Sequence, residues 1–298
     1  MTQTHDTMLR AMTFVDKGGV GKTTSTAHLG VAAANAGLDV LLIDLAGKQA
    51  DLAKHFGVNP PGDDERLNIG TVFSSQWAGV RDLKPDAAEA LIKSTEEGVD
   101  LIPAHHTLDG QDNNLASVNV EDRFVRLDEF LTQDVEPLGY DLVLLDAPGL
   151  TNNITLSGLY AAQHVVAPIE LGEFERRQMG RLIDDLNDLQ ETTGRDVELT
   201  MVLPNRVDTR TKLDRQLLEE TREEYGELVA PKHIPQSQDV RNSQAEGKTL
   251  FALDEPSETA KRAIEAYEVD ADSLVQRLVG DVDLPSVTAA TTETTDDN

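Results

Sequence analysis

The chain has 298 residues, enough for one large α/β domain with a proper core. It contains no cysteine, which excludes disulfides, thiolate zinc sites and iron–sulfur clusters. Its 54 acidic and 26 basic residues give a net charge of −28; no stretch approaches the roughly 20 apolar residues of a membrane span and no secretory signal pattern opens it, so a cytoplasmic protein is expected.

In chain order, the apolar spacing predicts a strand over Arg10–Val15 and a helix over Thr23–Ala36 that Gly37 ends. Val40–Asp44 reads as a continuous, buried-type strand. Pro60–Asp64 is a loop, and the stretch from there to about Gly98 has no legible period. Asp100–Pro103 is a short strand, Val120–Gln133 an amphipathic helix and Tyr140–Asp146 a second buried strand. His164–Ile169 and Leu199–Pro204 are further strands, and helices are expected over Glu173–Glu191, Lys212–Tyr225 and Ser257–Val279. The βαβα alternation predicts an α/β fold with a twisted, mainly parallel sheet and helices on both faces. One domain is expected over residues 1–280, followed by a disordered acidic, Thr-rich tail over 281–298.

Asp16-Lys17-Gly18-Gly19-Val20-Gly21-Lys22-Thr23-Thr24 follows the first strand and opens the first helix. Strand, glycine loop and helix N-terminus together suit a bound phosphate. The glycines let backbone N–H groups close around phosphate oxygens. Lys22 supplies a point charge for the β- and γ-phosphates, and the Thr23 hydroxyl suits Mg²⁺.

The strict loop pattern has Gly at position 16, where this chain has Asp, and Lys17 is a second lysine. The run from Lys17 to Thr24 resembles the deviant phosphate loop of the ParA/MinD ATPases, P-loop NTPases of the SIMIBI class that partition plasmids and chromosomes or place other cargo. The resemblance is nearest to the ParA/Soj-type partition ATPases. It implies a P-loop NTPase fold with ATP and Mg²⁺, the phosphates being held by Lys22 and the backbone of Gly18, Gly19, Val20, Gly21, Thr23 and Thr24. It also implies an ATP-dependent sandwich homodimer in which Lys17 reaches the partner's nucleotide, and a ParB-like adaptor protein that stimulates turnover.

Asp146, in Leu-Leu-Asp-Ala-Pro-Gly, stands where the family has Asp-x-Pro-Pro or Asp-x-Pro-Gly. Thr23 and Asp146 are therefore expected to hold Mg²⁺, with the Gly149 N–H sensing the γ-phosphate. Asp44 heads Asp44-Leu45-Ala46-Gly47-Lys48-Gln49, where the family commonly has Asp-x-Asp-Pro-Gln. Asp44 matches the first acid and joins Lys17 and Lys22 as the implied catalytic set. Ala46 replaces the second acid, which in the family orients the attacking water, and alanine has no oxygen for that task. Nucleotide binding with low turnover is the expectation, and Gln49 or Asp51 lies close enough in sequence to substitute. Two alternatives stay open: an ATP-gated binding switch without significant hydrolysis, and a MinD-like membrane-associated positioning ATPase.

Met201–Asp208 resembles the family's late, Asn-containing segment, so Asn205 is expected to bond the adenine edge, an amide offering both donor and acceptor. The alternative is a loop asparagine without a ligand. The resemblance covers about Arg10 to Leu278, with a gap at 58–98. Arg210, Lys212, Arg215, Arg241 and Lys248 form the densest basic cluster and are the candidates for non-specific DNA binding, which would make the protein nucleoid-associated; salt works against such binding. Alternatively they pair with Glu219, Glu220 and their neighbours on a solvated face. With the first strand opening at Arg10, no N-terminal DNA-reading extension is expected, nor sequence-specific operator binding. The helix over Ser257–Val279 has Ala260, Ile264, Tyr267, Leu274 and Leu278 on its apolar side but acidic flanks and no basic face. Core packing is expected for it, and membrane binding is not.

The acidity has two readings, a solubility surface or adaptation to a cytoplasm near saturated salt, as in halophilic archaea. The second is adopted, because a screening length of about 3 Å or less removes most self-repulsion. The seven histidines show no metal-ligand spacing; His105 and His106 are read as loop or surface residues and Trp77 as core.

Overall fold

The computed structural model describes residues 8–47 and 49–280. Its elements in chain order are β1 (Leu9–Thr13), α1 (Lys22–Asn35), β2 (Val40–Asp44), α2 (Asp51–His55), α3 (Ile69–Val72), α4 (Trp77–Leu83), β3 (Lys93–Ser94), β4 (Asp100–Ile102), α5 (Thr107–Leu115), α6 (Val120–Arg123) and α7 (Val125–Phe130). They continue with β5 (Leu142–Asp146), α8 (Asn153–Ala162), β6 (His164–Ile169), α9 (Glu173–Thr193), β7 (Glu198–Pro204), α10 (Lys212–Tyr225), α11 (Asp239–Ala245) and α12 (Glu258–Val279).

The seven strands form one sheet in the order β3-β4-β2-β5-β1-β6-β7. Only β3 runs antiparallel, against β4. All five residues of β2 and of β5 are buried, because parallel strands covered on both faces have no solvent side. Side chains alternate between the faces. Leu41, Ile43, Val143 and Leu145 join Trp77, Phe130 and Leu159 in one core layer. Leu42 and Leu144 point the other way, into a layer with Leu29 of α1 and Tyr267 of α12. The expected α/β fold with a mainly parallel sheet is borne out.

The register sets up the site. Thr13 pairs with Asp146, and Asp146 pairs with Asp44 on its other side. Two aspartates from distant segments therefore stand side by side at the C-terminal ends of central strands, where the glycine loop begins.

Some elements differ from the sequence reading. Val120–Gln133 is not one helix: α6 and α7 are separated at Phe124, and a π-turn follows over Leu131–Val135. Helices α2, α5, α8 and α11 were not expected, and the illegible stretch before Gly98 holds α3, α4 and β3. These pieces run only 2–10 residues, too short for a helical period to stand out. Trp77 is core as expected, its Nε1–H donating to Asp134 Oδ2 at 2.8 Å and its ring edge-on to Phe130. α12 packs through Ala260, Ala263, Tyr267 and Leu274, all buried, so its apolar side is core. Among the described residues no helix is long and apolar enough to cross a membrane. The tail reading, 281–298, lies outside the described residues.

Candidate functional site

The glycine loop leaves β1 and enters α1 through Gly21, whose φ of +97° is left-handed. A Cβ there would also lie 2.2 Å from Asn205 Nδ2, so glycine is required both by the backbone and by the neighbour. Lys22 is buried, and its Nζ donates to the Lys17 carbonyl at 2.5 Å. Burial pulls its ammonium below the ordinary lysine value, while the Asp146 and Asp16 carboxylates pull it back up. Lys17 is half-buried beside it.

Asp146 is fully buried. Its Oδ1 accepts from Thr26 Oγ1 at 3.3 Å, and the nearby Thr23 side chain favours its charged form. Its Oδ2 has no partner. Burial raises its pKa well above the usual carboxylate value, and the charge of Asp44 raises it further. An unpartnered buried carboxylate oxygen beside a threonine hydroxyl is a donor set that suits a hard divalent cation taking oxygen ligands. Asp44 is also fully buried; its Oδ1 accepts from the Ala46 N–H at 2.8 Å and its Oδ2 from the Leu52 N–H at 3.2 Å. The side chain thus pins both ends of the loop between β2 and α2. Burial lifts its pKa to about 6 in spite of these bonds. The same loop ends on Ala50 at φ +44°, a strained conformation for a residue with a Cβ.

Gly149 lies against the glycine loop. A Cβ on it would stand 3.2 Å from the Gly18 nitrogen and 3.3 Å from Lys22 Nζ. The turn after β5 therefore packs directly against the glycine loop and the end of the Lys22 side chain.

Asn205 opens the segment after β7. Its Nδ2 donates to the Val20 carbonyl at 2.8 Å and its Oδ1 accepts from the Arg206 N–H at 2.9 Å. The amide clamps the glycine loop, a task the sequence reading did not give it. One N–H and one lone pair of the amide stay available to a base edge. Asn205 borders a cavity of about 620 Å³ whose wall includes Gly21, Thr24, Ile234, Pro235 and Tyr267.

Arg210 and Arg241 line that same cavity. The proposed basic cluster is therefore divided. Arg210 forms two bonds to Asp208 at 2.8 Å, and Lys248 reaches Glu246 at 4.0 Å. Lys212 and Arg215 are exposed on α10.

Three features were not legible in the sequence. His28 and His55 are buried behind the loop. His28 accepts the Leu250 N–H on Nε2, which assigns its proton to Nδ1 and a 2.7 Å bond to the Thr24 carbonyl. Burial pushes His28 down to about 3 and His55 to about 4, so both are neutral near pH 7. His105, read as a loop or surface residue, lies in the loop between β4 and α5 but is buried there: its Nδ1 meets Thr107 Oγ1 at 2.9 Å and its Nε2 the Gly62 carbonyl at 3.3 Å. With both ring nitrogens engaged it anchors a loop. Asp109 on α5 shares a cavity with Ala46 and Gly149.

Residues 11–199 match the AAA domain family. The sporulation initiation inhibitor protein Soj of Bacillus subtilis is 28% identical over 249 residues, covering 82% of this chain and 91% of its own. The chromosome-partitioning ATPase Soj of Thermus thermophilus is 30% identical, covering 78% of this chain and 84% of its own. Among solved structures, cobyrinic acid a,c-diamide synthase of Mycobacterium smegmatis, with a bound ATP analogue and magnesium, is similar with a TM-score of 0.70 at 27% identity, over 94% of this chain and 99% of its own.

Proposed function

The chain belongs to the AAA domain family as a ParA/Soj-type member, and from that footing we propose that it binds ATP with Mg²⁺, forms a nucleotide sandwich dimer and acts in DNA partitioning or cargo positioning with slow hydrolysis. The observation that carries this reading is the convergence of Lys22, Thr23, Gly149 and the unpartnered Asp146 oxygen at one end of the sheet.

Bound Mg²⁺ supplies charge neutralisation across the β- and γ-phosphates. Thr23 and Asp146 are its holders in this reading. Lys22 exchanges the Lys17 carbonyl for phosphate oxygens, and the N–H groups of the glycine loop complete the cradle. Lys17 is the residue donated to the partner's nucleotide. Asp44 fixes the loop that carries Ala46, so its contribution to turnover is to hold that loop rather than to touch water. The Asn205 amide offers its remaining donor and acceptor to the base. Partners in this reading are a second copy, a ParB-like adaptor and non-specific DNA. Lys212, Arg215 and Lys248 are the DNA candidates, since Arg210 and Arg241 face the nucleotide side. The excess of acid suits a salt-rich cytoplasm, where a basic patch still meets phosphate at short range.

A second reading is an ATP-gated switch that releases nucleotide without hydrolysing it. Ala46 favours it, because the loop pinned by Asp44 offers no side-chain oxygen at that position. One experiment tests both: nucleotide affinity, mass in solution and ATP turnover in molar KCl, for wild type and Ala46→Asp, with and without DNA. Monomer-to-dimer conversion on ATP, low turnover and a gain of at least about tenfold in Ala46→Asp are expected. Wild type that binds no nucleoside triphosphate ends the proposal.

A further inference from the structure

We propose that Asp109 supplies the water-orienting carboxylate that Ala46 cannot, an inference that rests on the ATP-binding reading above. A cavity of about 210 Å³ lies between the chain leaving β2 and the chain leaving β5. Ala46, Gly47 and Gln49 form one wall, Gly149 another, and Asp109 of α5 a third. Gly149 is also the residue that backs onto Gly18 and Lys22, so this cavity adjoins the place assigned to the γ-phosphate.

Asp109 closes on Gly47 at the cavity wall. A Cβ at Gly47 would stand 2.7 Å from Asp109 Oδ1, so that oxygen lies no more than about 4 Å from the Gly47 Cα, one residue from Ala46. Gly47 has a φ of +55° and no side chain, and the carboxylate occupies the room this leaves. A carboxylate from α5 therefore enters the space beside position 46. The substitutes that the sequence suggested fit less well. Asp51 is not in the cavity wall. Gln49 is in the wall, but an amide takes no proton, whereas a carboxylate both orients a water and accepts its proton.

The carrier helix is fixed at its start and near its middle. Asp112 Oδ1 accepts the Asn153 N–H at 2.7 Å, and Asn153 Nδ2 donates to the Asp112 carbonyl at 3.1 Å. At its start, Thr107 Oγ1 donates to Asn68 Oδ1 at 2.8 Å. α5 is thus bonded to the first residue of α8, a few residues after Gly149. A group on a helix held in this way keeps its position better than one on a loop.

The step balances as an ordinary hydrolysis. The oxygen of a water bonded to Asp109 forms a bond to the γ-phosphorus as the bond to the bridging β–γ oxygen breaks. ADP leaves with that electron pair, and the proton of the water passes to the carboxylate and then to solvent.

The test is Asp109→Asn, close in size and at an exposed position on α5, in molar KCl. Turnover is expected to fall at least about tenfold, with ATP affinity and ATP-dependent dimerisation changed less than twofold. Ala46→Asp placed in the Asp109→Asn background should restore turnover by a larger factor than the same change produces in wild type. Unchanged turnover in Asp109→Asn, loss of affinity in parallel with turnover, or a wild type that binds ATP without hydrolysing it would each overturn the role of Asp109 and leave nucleotide binding standing. Absence of ATP binding in wild type removes the underlying reading instead.

Discussion

Replacing Asn205 by alanine separates a clamp on the glycine loop from a contact to the base. The side chain is 5% exposed and spends one N–H on the Val20 carbonyl and one lone pair on the Arg206 N–H. Val20 is itself buried, at 1%, so its carbonyl is left without a partner when the amide goes. Each lost bond is worth about 1 kcal/mol net, and a buried orphan costs about 1–3 kcal/mol. A destabilisation of about 2 kcal/mol for the nucleotide-free protein is a conservative sum. At about 2–4 °C per kcal/mol for a domain of this size, melting should fall by about 4–8 °C. Circular dichroism melting in molar KCl reads this directly. Titration calorimetry with MgATP and MgGTP gives the second half: a loop that has lost its clamp holds both nucleotides less tightly, by similar factors. An unchanged melting temperature together with a loss confined to ATP would refute the clamp and return Asn205 to a base contact alone.

Gly149→Ala should weaken nucleotide binding at least fivefold with little change in melting, because the new methyl meets Gly18 and Lys22 Nζ at 3.2–3.3 Å on the phosphate side; calorimetry with MgATP checks it. Asp44 gives a pH effect of definite sign. Its folded pKa of about 6 lies above the ordinary carboxylate value of 3.8, so the associated stability is present below pH 3.8 and lost as pH rises through 6, a change of roughly 3 kcal/mol. The difference in unfolding free energy between wild type and Asp44→Asn, followed from pH 4 to 7, reads that titration together with the downward shift of Asp146 that loss of the Asp44 charge brings, while the lost backbone bonds add only a constant. A flat difference counts against the burial argument. The double variant Lys212→Ala/Arg215→Ala should reduce the salt dependence of DNA retention while leaving ATP affinity unchanged; an unaltered slope removes α10 from the DNA interface.

The phosphate loop was legible because its chemistry is contiguous: glycines, lysines and threonines between one strand and one helix carry their meaning in nine consecutive residues. The buried strands were legible for a similar reason, since a run such as Val-Leu-Leu-Ile-Asp has only one kind of place in an α/β sheet. Short helices such as α2 and α5 left no period to read. The absence of an acid at Ala46 was also visible, but the approach of Asp109 to the neighbouring Gly47 was not, because Asp109 comes from a helix elsewhere in the chain.

Sequence alone determined the class of fold, the phosphate cradle and the missing oxygen at position 46, all of them local properties of chain and side chain. Only the tertiary structure decided which distant groups meet there. Strand order, set by crossovers rather than by neighbours in sequence, puts Asp44 against Asp146. The return of the chain after β7 brings Asn205 onto the glycine loop and turns Arg210 and Arg241 toward the same cavity. The seating of α5 beside the β2 exit delivers Asp109 to Gly47. Such meetings depend on how packed layers close over one another, and no window of residues encodes them on its own.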